Sequence, residues 1–356
     1  MVVVNDGVSE IHMQSQSFVW GFWRGVAIAA CAASVAVSPA SAKSLYDEPK
    51  YAAILLDAGT GEVLYSRQAD APRYPASITK VLTLYIAFEE LTKGKMRLSD
   101  NIVISRFAAG QAPSKLGLKR GSTITVADAM NVIATKSAND IAVALAEHIS
   151  GSEIAFGSRM TATARRLGMK SSTFVNATGL PDDRQLTTAR DISTLSRALL
   201  RDYPQYYPLF SKESVEYKGQ AINSHNHLLG VLPGVDGIKT GYTNAAGFTL
   251  AASAVRNNKR LIAVVLGGPS RLARDNNITD LIDTGFYVMN RRALGERVTV
   301  AMNLAEPEDL SDGALERLVE QGSGDEDTHA SAQSPVMVAA PPPLLARDRP
   351  KKARGE

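Results

Sequence analysis

Two apolar runs late in the chain, Phe248-Thr249-Leu250-Ala251-Ala252-Ser253-Ala254-Val255 and Leu261-Ile262-Ala263-Val264-Val265-Leu266, are parted only by Arg256-Asn257-Asn258-Lys259-Arg260. Strands this close in sequence pair antiparallel, so this end of the fold contains a sheet. The other end offers strands too. Ala53-Ile54-Leu55-Leu56 is a short apolar run, Asp57-Ala58-Gly59-Thr60-Gly61 carries turn residues, and Glu62-Val63-Leu64-Tyr65-Ser66 returns. Between the ends the period becomes helical. Ile78, Val81, Leu82, Tyr85 and Ile86 share one face of a helix starting near Ser77 and stopping at Gly94. Thr125-Val126-Ala127-Asp128 is a capping-box pattern. It opens a helix through Met130, Val132 and Ile133 that breaks around Ser137-Ala138-Asn139. Ile141, Val143, Leu145, Ala146 and Ile149 mark another helix, and Ile278, Leu281, Ile282, Phe286 and Met289 a last one. Strands at both ends of a helical middle imply an α+β domain whose one sheet is built from distant segments.

The segments flanking this pattern read differently. Arg24 precedes an uncharged, mostly apolar run from Gly25 to Val37, and Ala40-Ser41-Ala42 follows as an A-x-A cleavage pattern. Those features describe a secretory signal peptide over residues 1–42, with translation starting at Met1 or Met13. The apolar run is shorter than the span of about 20 residues that crosses a bilayer. Its Cys31 is the one cysteine of the 356 residues, so cleavage after Ala42 leaves a mature chain without disulfides, held by its core. A lipidated Cys31 is the rival reading of the same segment. The catalytic domain is expected over 43–295. From 296 to 356 one candidate strand, Arg297-Val298-Thr299-Val300, leads into acidic and then Pro-rich sequence expected to be disordered. A net charge of +3 is too mild to argue for nucleic acid binding.

Three short motifs stand in order: Ser77-Ile78-Thr79-Lys80, Ser137-Ala138-Asn139 and Lys239-Thr240-Gly241. Each has a bland reading alone: a helix cap with a solvated lysine, a turn, and a strand entry with an exposed lysine. Their context favours chemistry. Ser77 sits at a helix start, where amides and the macrodipole favour developing negative charge. Lys80 lies one turn on, within reach of the Ser77 hydroxyl. A serine is a poor nucleophile until a base takes its proton, and a lysine can be that base if burial and a second cation lower its pKa. Lys239 is the candidate second cation. Ser137 and Asn139 fall at a break between helices, where side chains can face a cleft. Lys239, Thr240 and Gly241 open the strand region and suit a peptide carboxylate lying along a sheet edge.

Together these motifs resemble those of the penicillin-recognising serine enzymes. Tyr74-Pro75-Ala76-Ser77, Asn176-Ala177-Thr178-Gly179-Leu180 and Val235-Asp236-Gly237-Ile238-Lys239-Thr240-Gly241-Tyr242-Thr243 resemble the serine D-alanyl-D-alanine carboxypeptidases, peptidase family S11, across residues 45–290. The resemblance implies a β-lactamase/transpeptidase-like fold, an antiparallel sheet flanked by helices with a mainly helical subdomain. It implies a peptidoglycan pentapeptide as substrate, β-lactams as covalent inhibitors and a periplasmic or cell-envelope location, with neither metal nor organic cofactor. By position, Ser77 is the acylated nucleophile, Lys80 its base, and Ser137 and Asn139 relay protons and hold the peptide amide. Lys239 and Thr240 engage the substrate carboxylate, and the amides of Ser77 and Tyr242 form the oxyanion hole. Arg274 is a further carboxylate contact by similarity; a surface arginine is its equally weighted alternative.

The resemblance also has gaps. Relatives often carry an arginine or lysine shortly before the paired leucines, where this chain has His225 and His227 ahead of Leu228-Leu229. Many have a second β domain and a membrane-binding end, so membrane attachment is left open. A β-lactamase of class A would need an E-x-x-L-N segment between Asn139 and Lys239, and none is found. A D,D-endopeptidase shares every motif. A non-catalytic β-lactam sensor would tolerate loss of Lys80 and Lys239, and both are present. His225-Asn226-His227 as a metal pair lacks a Cys or HExxH partner.

Overall fold

Strand-period sequence from the two ends of the domain meets in one sheet. The structure, a computed structural model, describes residues 50–304; the leader over 1–42 and the tail expected beyond residue 305 lie outside the described residues. The first half runs β1 (Ala52–Asp57), β2 (Val63–Arg67), a 3-10 turn (Ala76–Ile78), α1 (Thr79–Thr92), β3 (Asn101–Val103), α2 (Arg106–Ala109) and β4 (Thr123–Thr125). Helices α3 (Val126–Thr135), α4 (Asn139–Ser150), α5 (Glu153–Leu167) and α6 (Ala189–Asp202) follow, then a 3-10 turn at Tyr207–Ser211. The second half closes with β5 (Ser214–Tyr217), β6 (Gln220–Asn223), β7 (Val235–Thr243), β8 (Gly247–Arg256), β9 (Lys259–Gly268) and α7 (Arg271–Ala293).

Among the described residues, five strands form an antiparallel sheet ordered β2-β1-β9-β8-β7. The hairpin inferred from Arg256–Arg260 is the β8–β9 pair, with Val255 opposite Arg260. In β1 the side chains alternate: Ile54 and Leu56 join the core under the helical lobe, while Ala53 and Leu55 join the core under α7. Strand β9 does the same, with Ile262 and Val264 on one side and Leu261 and Val265 on the other. A sheet covered on both faces reads as continuous apolar runs, which is why these strands lacked polar alternation. Burying each such Leu, Ile or Val stabilises the fold by roughly 1.5–3 kcal/mol.

Local signals account for the helix boundaries. Thr125 Oγ1 accepts from the Asp128 amide at 3.1 Å and donates to Asp128 Oδ2 at 2.9 Å, capping α3. Helix α4 has no side-chain cap of that kind. Instead the Asn139 N–H donates to Ser114 O at 2.7 Å, and the buried Asp140 carboxylate accepts from the amides of Leu116 and Gly117. That tie holds the 112–118 loop against the start of α4.

Two boundaries differ from the sequence reading. Strand β7 begins at Val235, so Lys239-Thr240-Gly241 lies inside a strand. Arg297–Val300 forms no strand. Its alternation is real, since Val298 and Val300 pack on the α7-side core. Yet the Val298 carbonyl accepts from Arg292 Nε at 2.9 Å and joins no strand ladder.

Candidate active site

Strand β7 is the last strand of the sheet, so one of its edges has no strand neighbour among the described residues. That edge is crossed by the 3-10 turn that precedes α1. A Cβ on Gly241 would lie 2.7 Å from Ser77 N and 3.0 Å from the Ala76 side chain, so only glycine admits this approach. Ser77 is half-buried in the middle of the turn, two residues before α1 begins. The helix expected to start near Ser77 therefore opens as a tighter turn, with Ala76 at φ +45°. Gly179 takes up the space behind it. A Cβ there would meet Ala76 O at 1.8 Å, and its φ is +85°.

Lys80 follows Ser77 by one turn and is fully buried. Its Nζ lies 2.9 Å from Ser77 Oγ, 2.7 Å from Asn139 Oδ1 and 2.6 Å from Thr178 O. The orientation of Asn139 is fixed, because its Nδ2 donates to Ala112 O and Pro113 O at 2.9 and 3.0 Å. Burial holds the Lys80 amine well below the usual lysine range, and the charge of Lys239 lowers it further. A neutral amine has two N–H groups and one lone pair. The two carbonyl oxygens can only accept, so they take both N–H groups. The lone pair then faces Ser77, whose hydroxyl donates to it, which is the arrangement that lets a lysine take a serine's proton.

Thr178 was not singled out from sequence, because its contribution is a backbone carbonyl. The loop around it is held by side chains: Asn176 Oδ1 accepts from the amides of Thr178 and Gly179 at 3.2 and 2.8 Å. Gln185 Oε1 accepts from the amides of Val175 and Asn176, and Glu153 Oε1 from that of Ala177. Asn176–Leu180, known from sequence only by its resemblance to the carboxypeptidases, thus presents Lys80's third partner.

The second motif lies where expected, between α3 and α4. Ser137 has φ +62°, a left-handed conformation that turns the chain between the helices. Its hydroxyl is buried with no hydrogen-bond partner. A buried hydroxyl left unpaired carries a cost of order 1–3 kcal/mol, which a substrate or proton-relay contact would offset.

Lys239 is buried on β7, with Nζ donating to Thr240 O at 3.0 Å. Burial and the neighbouring charge of Arg274 bring its amine down to about 7. Thr240 is buried beside it. Arg274 is not a surface arginine: it is 3% exposed in the first turn of α7. Its guanidinium is engaged by Thr249 O at 3.1 Å and by Asp275, so its influence on Lys239 is electrostatic. Tyr242 turns its ring onto Phe248, centroids 4.4 Å apart, and its hydroxyl to Asn244. His225 is exposed at the rim. Crowding by protein, then the charges of Lys239 and Lys136, lowers its imidazole to about 4. His227 Nε2 lies 3.4 Å from Arg271 Nη1. Among the described residues no group of three His, Cys, Asp or Glu side chains could hold a metal ion.

Comparison with known proteins places the chain. A family profile described as D-alanyl-D-alanine carboxypeptidase matches residues 40–270. The chain is 37% identical over 250 residues to D-alanyl-D-alanine carboxypeptidase DacF of Bacillus subtilis, covering 69% of this chain and 64% of that protein. It is 35% identical over 240 residues to DacA of Escherichia coli, covering 65% and 60%. The chain thus spans somewhat under two thirds of the length of these relatives. Among solved structures, penicillin-binding protein 5 of Haemophilus influenzae matches with a TM-score of 0.65 at 33% identity, over 68% of this chain and 71% of that one. Penicillin-binding protein D2 of Listeria monocytogenes in its cefotaxime-bound form matches with a TM-score of 0.61 at 31% identity, over 67% and 97%.

Proposed function

The chain belongs to the D-alanyl-D-alanine carboxypeptidase family, peptidase family S11, and from that premise we propose that it hydrolyses the terminal D-Ala-D-Ala bond of peptidoglycan stem peptides through a Ser77 acyl-enzyme. The observation that carries this reading is the contact of Lys80 Nζ with Ser77 Oγ at 2.9 Å, made by an amine whose proton affinity burial and the charge of Lys239 lower. Ser77 Oγ attacks the carbonyl carbon of the penultimate D-Ala as Lys80 Nζ takes its proton. The oxyanion forms against the amides of Ser77 and Tyr242, a reading supported by the close approach of β7 at Gly241 to the Ser77 amide. The C–N bond then breaks, and the proton on Lys80 passes by way of the Ser137 hydroxyl to the leaving amine, releasing D-alanine. A water attacks the ester carbonyl as it gives a proton to Lys80; the C–Oγ bond then breaks, and Ser77 Oγ takes that proton from Lys80 to leave as the hydroxyl. With both Nδ2 hydrogens committed to Ala112 O and Pro113 O, Asn139 holds the peptide amide by accepting its N–H at Oδ1. Lys239 and Thr240 hold the terminal carboxylate along the β7 edge, with Arg274 adding positive charge behind them.

β-Lactams would acylate the same serine, a reading supported by the cefotaxime-bound relative. Export to the periplasm or cell envelope rests on the Ala40-Ser41-Ala42 pattern and the apolar run before it. Among the described residues no helix is long and apolar enough to cross a membrane. The test incubates the chain and its Ser77→Ala variant with fluorescent penicillin and follows D-alanine release from a soluble pentapeptide. Label on the wild type alone, with D-alanine released, is the expected result. Label without D-alanine transfers the site to crosslink cleavage or β-lactam sensing, and absence of label overturns the nucleophile.

A further inference from the structure

The lobe that supplies Asn139 also carries unbalanced positive charge beside the cleft. Between Asp100 and Asp128 the chain has no Asp or Glu, but it has Arg106, Lys115, Lys119 and Arg120. All four side chains are exposed. The carboxylates packed beneath them on α4 face inward: Asp140 is buried on the amides of Leu116 and Gly117, and Glu147 Oε1 accepts from Ser105 Oγ. The fold draws the cations together. Gly121 N–H donates to Ile104 O at 2.8 Å and Ser122 N–H to Lys119 O at 3.1 Å, closing the turn that holds Lys119 and Arg120 onto the end of β3. Ser105 then caps α2, which presents Arg106 and the 55%-exposed Phe107.

The inner side of this same segment walls the site. Ala112 O and Pro113 O receive Asn139 Nδ2, and Ser114 Oγ donates to Lys136 O. We infer that the Arg106–Arg120 lip is a docking surface for the anionic polymer that carries the scissile peptide, a peptidoglycan strand whose neighbouring stem peptides bear free carboxylates. The inference rests on the carboxypeptidase reading. Charge complementarity and continuity with the cleft select this occupant. A bilayer would call for a broader apolar face than Phe107 and Val103, the large apolar side chains exposed on this lip, supply.

The test uses the full chain carrying Arg106→Gln, Lys119→Gln and Arg120→Gln together. D-alanine release is measured from insoluble peptidoglycan and from a soluble pentapeptide, with fluorescent penicillin reporting an intact site. At low ionic strength kcat/KM on the polymer should fall by about ten-fold, while the soluble substrate and the labelling change by less than about two-fold. Salt near 0.5 M should remove most of the wild-type advantage on the polymer. Unchanged turnover of the polymer, or an equal loss on both substrates with labelling kept, overturns the proposal. So does loss of sedimentation with phosphatidylglycerol vesicles while polymer turnover stays the same, which would make the lip a lipid-facing surface. If the wild type releases no D-alanine at all, the hydrolytic reading fails. Co-sedimentation of Ser77→Ala with peptidoglycan, with and without the three changes, then still decides the docking surface.

Discussion

Charge is handled in opposite ways at two places in this molecule. Where α1 meets α5, Glu89 binds Lys93, Arg159 and Arg166 at 2.9 Å each, and Glu90 binds Arg159 at 2.5 Å. Every charge there has an opposite partner. Burial pulls the Glu89 carboxyl upward, but Lys93 and Arg159 overcome it and leave it below the ordinary range. In the cleft, Lys80 and Lys239 are both buried, each perturbs or is perturbed by another cation, and their hydrogen-bond partners are neutral oxygens. The first cluster joins two helices. The second holds two buried amines whose proton affinities are lowered, a condition that costs stability and that recurs at functional sites.

The largest effect should come from removing the base. Lys80→Met keeps the volume of a long side chain while deleting the amine, and labelling by fluorescent penicillin should slow by at least about a thousand-fold with the fold retained. A loss smaller than ten-fold would erase the contrast, making Lys80 another structural cation. The cost of the cleft charges is the next test. The Lys239 amine sits at about 7 in the folded chain against an ordinary 10.5. Below pH 7 both folded and unfolded chains bind the proton, so the full penalty for burying the charge is present. As pH rises from 7 toward 10.5 the folded chain has shed the proton and the unfolded one has not, and the penalty fades. Lys239→Met should therefore raise the unfolding free energy, by an amount of order a few kcal/mol at pH 6 and little at pH 10, with the thermal midpoint following. Equal melting curves at both values would show that Lys239 carries no such strain.

Legibility in the sequence differed across the molecule for physical reasons. Ser77, Lys80, Ser137, Asn139 and the Lys239 motif could be read because their chemistry resides in side chains at short spacings. The sheet was legible because burial on both faces leaves an unbroken apolar signature in β8 and β9. Thr178 could not be read, since a carbonyl belongs to every residue and its direction is set by Asn176 and a glycine about 100 positions from the turn it admits. The left-handed conformations of Ala76 and Ser137 were equally silent, because neither residue type announces a positive φ. Strand β7 was placed late because Gly237 and Gly241 interrupt its apolar pattern, although both glycines serve close approaches. Arg297–Val300 alternates as a strand would, yet a ladder also needs a free partner edge, which local sequence does not report.

Coupling between the two cleft lysines sharpens the comparison further. Lys80 must be neutral to act, so acylation should rise with pH through its titration. The charge on Lys239 holds that titration low. Replacing Lys239 by Gln removes the second cation, and the acidic limb of the labelling-rate profile should move to higher pH. On the pentapeptide the same variant should chiefly raise KM, because the cation that meets the carboxylate is gone. An acidic limb that stays in place would mean burial alone sets the Lys80 proton affinity, leaving the cations of the cleft electrostatically independent.

The smallest effect should be found at the paired cluster. Glu89→Gln leaves Arg159 still bound to Glu90 and strands no fully buried charge, since Arg166 and Lys93 are more than half exposed. Exposed and half-exposed ion pairs contribute about 0–1 kcal/mol each. The variant should lose on the order of 1 kcal/mol in urea unfolding, with penicillin labelling unchanged at every pH. Its melting should depend on ionic strength less than that of the wild type, because the attractive charges that salt screens are fewer. A shift in the labelling profile would mean that the field of the α1–α5 cluster reaches along α1 to Lys80. The two regions would then be one electrostatic system, with the outer carboxylates helping to set the charge state of the cleft.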